Sequence, residues 1–169
     1  MSASRERIVT ERGVSHLIFA IGVVTFAVRT QKVGEIIMFQ ELARAPSLPP
    51  CIRGLMNLRG TVLPVVDLAL KFDGKESPIT RHTCIVVVET MHDGVVTPIG
   101  LITEAVYDVM SVLPSSIEPP PAFGAAVDVA YLSGMMKYGD GFALVMDADR
   151  VLSVGELLGT RTELSAIES

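Results

Sequence analysis

The sequence has no tryptophan and only three tyrosines and six phenylalanines. Single-stranded nucleic acids are held on stacked aromatics inside a basic groove. With 14 Lys and Arg against 19 Asp and Glu, the net charge is −5, so the chain lacks the basic surface as well as the aromatics. Nucleic acid is therefore not an expected partner. Long hydrophobic runs are also missing. Mean hydropathy is +0.47, yet no stretch approaches the roughly 20 apolar residues that cross a bilayer. Met1 to Arg12 is polar and lacks the apolar centre of a secretory signal. These absences point to a cytoplasmic protein with no direct membrane insertion. Cysteine is scarce too. Cys51 and Cys84 stand alone in apolar surroundings, which predicts two buried free thiols rather than a disulfide framework.

Catalytic signatures are equally sparse. The sequence has no phosphate-cradling glycine loop, no H-E-x-x-H and no G-x-S-x-G elbow. His16, His82 and His92 are far apart and read as surface or strand-end residues, and there is no C-x-x-C to hold zinc. Asp147 and Asp149 form a D-x-D whose place before an apolar stretch suits helix capping better than metal binding. No catalytic residue, metal or cofactor is expected.

What the chain does have is a core. Its 169 residues, 49% apolar and 20% charged, suit one domain with a self-sufficient interior. The apolar stretches are short and cut by glycine and proline. Leu17 to Ile21 and Thr25 to Arg29 read as a hairpin about Gly22, followed by a strand over Val33 to Met38. Ile52 to Leu58 and Thr61 to Val66 flank Gly60, and Pro64 predicts an edge strand or a bulge. Asp67 can cap a helical turn over Leu68 to Phe72. Thr83 to Glu89 and Val95 to Ile102 read as a second hairpin with a longer loop, and Val106 to Val112 as a further strand. A proline connector, Ser115 to Pro121, leads to Val127–Tyr138 and a final strand, Gly141 to Met146. Asp147 to Leu158 predicts a C-terminal helix capped by Asp147. No repeat of fixed period is visible. The pattern argues for a mainly β barrel or sandwich.

Two charges interrupt the apolar runs: Glu35 inside Val33–Met38, and Arg59 between Leu55–Leu58 and Val62–Val66. A charge in such a setting must be paired or lie at a groove. The expectation is that Glu35 and Arg59 pair across adjacent strands.

The run G-L-M-N-L-R-G-T-V-L-P-V-V-D-L from Gly54 to Leu68 resembles the signature stretch of the CheW family, the scaffold proteins of bacterial chemotaxis arrays. L-I-F-A-I-G (Leu17 to Gly22), F-A-V (Phe26 to Val28), K-V-G-E-I-I (Lys32 to Ile37), P-I-G-L-I-T-E-A-V-Y-D-V (Pro98 to Val109), I-E-P-P-P (Ile117 to Pro121) and Y-L-S-G-M (Tyr131 to Met135) follow the family's order and spacing. Glu104 stands where the family usually has Asp, and the first turn, Gly22 to Thr25, is tighter and less charged than is common.

The resemblance implies two intertwined five-stranded SH3-like β-barrels with a short C-terminal helix. Residues 15–158 would form the domain, after a flexible N-terminus (1–14) and before a tail (159–169). It also implies a non-catalytic adaptor at membrane-associated receptor arrays, with possible self-association in rings. Its partners would be the cytoplasmic tip of a methyl-accepting chemoreceptor and the regulatory domain of the histidine kinase CheA. By position, the implied receptor- and kinase-binding residues are Val33, Glu35, Gly54, Arg59, Gly60, Val62, Ile85, Gly100 and Val106. Gly54 and Gly60 also read as turn glycines with positive φ. Val33, Val62, Ile85 and Val106 also read as core residues. An adaptor of a non-flagellar chemosensory pathway is the alternative within the family. A ligand-binding or enzymatic β-barrel domain is the alternative outside it.

Overall fold

The structure, a computed structural model, describes residues 11–44, 46–120, 127–153, 156 and 160. The described strands are β1 (Val14–Ile21), β2 (Val24–Arg29), β3 (Val33–Met38), β4 (Ile52–Leu58), β5 (Thr61–Val66), β6 (Cys84–His92), β7 (Val95–Thr103), β8 (Ala105–Val112), β9 (Leu132–Tyr138) and β10 (Gly141–Met146). Helix α1 (Leu68–Asp73) follows β5.

The strands form two five-stranded sheets, ordered β8-β1-β2-β10-β9 and β3-β6-β7-β5-β4. The first sheet combines strands from the two ends of the chain, and the second is built from the continuous middle stretch, β3 to β7. Hairpin β1–β2 joins β10 through a parallel pairing, Leu144 with Phe26 and Val145 with Ala27. Hairpin β6–β7 joins β5 likewise, Val65 with Gly100 and Val66 with Leu101.

Side-chain alternation explains why β1 and β6 read as unbroken apolar runs. Leu17, Phe19 and Ile21 of β1 and Val86 and Val88 of β6 meet in a central core between the sheets. Ile18 lies on the other face of β1, with Ala27, Met136 and Val145. Ile85 and Val87 lie on the other face of β6, with Met56, Leu63 and Val65. A strand buried on both faces has no polar side to display.

The topology is an internal duplication that the sequence does not display as a repeat. Both halves run hairpin, outer strand, hairpin, then an aspartate-capped turn. Asp67 Oδ1 accepts from Leu70 N at the start of α1, and Asp147 Oδ1 accepts from Asp149 N in a one-turn 3-10 segment, Ala148–Arg150. In both halves a glycine also lies under a crossing strand. A Cβ on Gly54 would stand 2.8 Å from Ala43 O, and one on Gly134 would stand 2.7 Å from Glu118 O. Backbone bridges Ala43–Leu55 and Glu118–Met135 occupy those crossings. Only the backbone constraints recur, because apolar positions exchange freely at fixed volume.

Several local expectations need correction. Pro64 lies on a strand flanked on both sides, but β5 pairs with β7 only from Val65 onward, so Pro64 faces β4 alone. The β6–β7 connection is tighter than expected, two residues with positive φ, Asp93 and Gly94. Gly54 is extended within β4 rather than in a turn, and its role is close approach. Cys51 is buried, but Cys84 at the start of β6 is only half-buried; both are free. His16 is fully buried on β1, with Nδ1 2.8 Å from Val14 O, because it shares the inward face with Ile18. Asp147 caps only the 3-10 turn. Further on, Ser153 N donates to Glu156 Oε1 (2.8 Å) and Glu156 N donates to Ser153 Oγ (3.1 Å), a reciprocal pair of the capping-box type, while residues 154, 155 and 157–159 of the expected helix lie outside the described residues. Thr160 is helical and buried. Pro121, Leu158 and residues 161–169 lie outside the described residues.

Candidate interaction site

Asn57, Leu58, Arg59, Gly60 and Thr61 form the β4–β5 turn. Arg59 has φ 52° and Gly60 φ 85°, the signature of a two-residue hairpin turn in which both central residues are left-handed. Asn57 Oδ1 accepts from Gly60 N at 2.9 Å and locks the turn. Gly60 suits its position because it has no Cβ. Arg59 does not, and its backbone costs on the order of 1 kcal/mol.

From this turn Arg59 reaches Glu35 with two parallel bonds, Nη1 to Oε1 at 3.1 Å and Nη2 to Oε2 at 2.9 Å. The two side chains do meet, but not across adjacent strands: β3 and β4 are the two outer strands of their sheet. The sheet curls until its edges face each other, and the ion pair spans the seam. The Arg59 side chain remains 78% exposed and that of Glu35 24% exposed. An exposed pair of this kind contributes about 0.2–1 kcal/mol. That gain does not exceed the strain at Arg59, so stability alone does not account for an arginine in this turn.

The other sheet has a corresponding seam between β8 and β9. There Tyr107 stacks on Tyr138, ring centroids 6.4 Å apart and planes 11° from parallel. Apolar side chains crowd this edge: Tyr107, Val109 and Phe142 are all more than half exposed.

Of the other residues singled out, Val33 and Val62 are half-buried on the strands that carry Glu35 and lead from Arg59. Ile85 and Gly100 are not at the surface. Ile85 has no exposure, and a Cβ on Gly100 would strike Ile85 Cγ2 at 2.7 Å. Gly54 is buried beneath residues 42 and 43. Val106 is half-buried on β8, in the other sheet, and packs against the central core. Ile36 and Met38 were passed over in the sequence reading. They occupy the outer face of β3, opposite Glu35, and Met38 is 73% exposed. The strict alternation of exposure along Val33–Met38 sets them there; the nearly unbroken apolar string concealed it.

Behind the seams, Asp149 ties the two sheets together. It accepts from Lys32 Nζ at 2.9 Å and from Met91 N at 2.8 Å. Burial raises its carboxyl, but the hydrogen bonds from Lys32 and Met91 outweigh that and hold it below the ordinary range. Asp67 is wholly buried and saturated, accepting from Leu70 N, Ser77 N, Ser77 Oγ and Arg53 Nη1. Among the described residues no three His, Cys, Asp or Glu side chains converge as metal ligands. Nor is any helix among them long and apolar enough to cross a membrane.

Known proteins share this architecture. The chain is 28% identical over 145 residues to the chemotaxis protein CheW of Klebsiella aerogenes, covering 86% of this chain and 85% of that one. It is 29% identical over 141 residues to the chemotaxis protein CheW of Bacillus subtilis, covering 83% and 87%. The crystal structure of the scaffolding protein TtCheW from Thermoanaerobacter tengcongensis superposes with a TM-score of 0.76 at 26% identity, over 85% of this chain and 90% of that one. The sequence profile of the CheW-like domain matches residues 15–156. With two interleaved five-stranded sheets and this match over most of its length, the chain belongs to the CheW-like domain family.

Proposed function

We propose that this protein is a non-catalytic chemotaxis scaffold that couples the cytoplasmic tips of chemoreceptors to the histidine kinase CheA. It works in the cytoplasm, at membrane-associated arrays. Its effect is positional: by holding receptor and kinase in one geometry, it lets receptor conformation bias kinase activity. The observation that carries this reading is the strained, exposed Arg59 braced on Glu35 across the barrel seam. Val33, Gly60 and Val62 shape the surface around it, and the apolar Ile36 and Met38 extend it. The exposed aromatic edge on the other sheet offers a second contact, as self-association in rings requires.

The test is co-elution with a CheA regulatory-domain fragment and, separately, with a receptor cytoplasmic fragment. Arg59→Gly, Glu35→Ala and the parent are run side by side. Arg59→Gly relieves the backbone strain as it removes the guanidinium. It is expected to unfold within about 1 kcal/mol of the parent yet to bind at least one fragment roughly tenfold more weakly. Parent-like binding by both variants, or no binding by the parent at tens of micromolar, refutes the assignment.

A further inference from the structure

The pairing registers put the two sheets in step. Across one sheet successive partners run Glu35, Val87, Gly100, Val65, Gly54. Across the other they run Asp108, Ile18, Ala27, Val145, Gly134. Both rows end on the glycine that lies under a crossing strand. Both begin on an acid that follows a bulge residue, Gly34 before Glu35 and Tyr107 before Asp108. Asp108 is therefore the counterpart of Glu35. The turns match as well. Leu58 pairs with Thr61 across one and Tyr138 with Gly141 across the other, which sets Arg59 (φ 52°) and Gly139 (φ 57°) in the same left-handed position.

The two seams differ in one respect. Glu35 has its arginine, whereas the place facing Asp108 holds a glycine. Asp108 is exposed, and its carboxylate accepts only from the neighbouring Val109 N, at 2.8 Å. Asp140, beside Gly139, is a second exposed acid, and among the described residues no ion pair joins either of them to Lys137 of β9. Arg59 has the opposite excess. Of a guanidinium's five donors Glu35 takes one from each Nη, and the side chain remains 78% exposed.

We propose that Asp108 receives Arg59 of a second copy of this chain. Copies then join head to tail, the β4–β5 turn of one in the tyrosine seam of the next. The guanidinium bridges its own Glu35 and the neighbour's acid, and the Tyr107–Tyr138 stack gives it an aromatic surface to lie against. An exposed apolar strip accompanies each half of the contact, Ile36 and Met38 on one side, Val109 and Phe142 on the other. The two patches differ, so the contact is heterologous and repeats into a ring or a filament. This gives the ring contact named above its chemistry and rests on that part of the reading, not on binding of kinase or receptor.

The full chain is followed by sedimentation velocity at low salt, from about ten to several hundred micromolar, with no kinase or receptor fragment present. The parent associates as concentration rises, and salt weakens the association. Asp108→Arg and Arg59→Asp each set like charges together and self-associate at least roughly tenfold more weakly. Aspartate tolerates the left-handed backbone of the turn. Gly139→Arg fills the seam from within and weakens association to the same extent. Mixing Asp108→Arg with Arg59→Asp sets opposite charges together at every contact and restores association to within about threefold of the parent. The proposal is overturned if the parent stays monomeric throughout. It is equally overturned if any single variant, shown by circular dichroism to be folded, associates as the parent does, or if the mixture gains nothing over its components. Kinase and receptor binding is read separately by co-elution, so failure there and failure here are distinct results.

Discussion

Replacing Gly54 with alanine puts the duplicated crossing to a quantitative test. The new Cβ would sit 2.7 Å from Leu42 Cβ and 2.8 Å from Ala43 O. Neither neighbour is the free end of a flexible side chain, so the strands must separate. The two bonds at the crossing, Ala43 N to Leu55 O at 2.9 Å and Leu55 N to Ala43 O at 2.7 Å, would stretch. Forced overpacking costs about 1–3 kcal/mol, and each weakened bond up to about 1 kcal/mol more. Lower entropy of the unfolded chain returns about 0.4–1 kcal/mol. The expected net loss is roughly 2 kcal/mol, a fall in Tm of about 4–8 °C for a chain of this size. Gly134→Ala should cost a similar amount, because its Cβ would meet Glu118 O and Ile117 Cγ2 in the same way. Urea unfolding at constant slope measures both. Two alanine variants within about 0.5 kcal/mol of the parent would refute the close-approach argument. A large loss at one site only would refute the equivalence of the two halves.

Asp67→Ala should be among the most damaging single changes, at roughly 3 kcal/mol, because it takes the acceptor from the buried Ser77 N and Oγ and uncaps α1; equilibrium unfolding checks it. Glu156 gives an acid dependence. Burial raises its carboxyl, but hydrogen bonds from Cys51, Lys71 and Ser153 bring it to about 2, against an ordinary 4.5. A depressed carboxyl contributes stability that is present above its unfolded value and lost as pH falls from 4.5 toward 2. Glu156→Gln should flatten that arm of the stability–pH curve. Cys51 acts at the other end. Its thiol is raised from 9.0 to about 12, so the unfolded chain ionises first and stability falls as pH rises between those values. The slope approaches about 1.4 kcal/mol per pH unit, and Cys51→Ala should remove it.

The strands were legible because short barrels leave simple marks. Glycines at the turns and unbroken apolar runs at Leu17–Ile21 and Ile85–Val88 delimited the strands, and Asp67 announced α1. Glu35 and Arg59 were legible as a pair because both are charges inside apolar runs. That they close a seam between outer strands was not, since curling of a sheet is a property of all its strands together. His16 misled because a polar residue near the chain start suggests a surface, whereas register places it inward with Ile18. The S-x-x-E box at Ser153 was in plain view, but Asp147 offered an earlier cap that serves only one 3-10 turn.

The exchange of hairpins between the two halves bears on how the chain can be made. Ala27 of β2 finds its parallel neighbour in Val145 of β10. At about 5–20 residues per second, the roughly 120 residues between them take about 6–24 s to synthesise. Until then the first hairpin, apolar on both faces, lacks its parallel neighbour, and its outer strand β8 is available only once Ala105–Val112 has been made. The other sheet has all five of its strands once Thr103 is made, so a chain stopped before β10 carries one sheet with its full set of strands and one that lacks the strand joining its two hairpins.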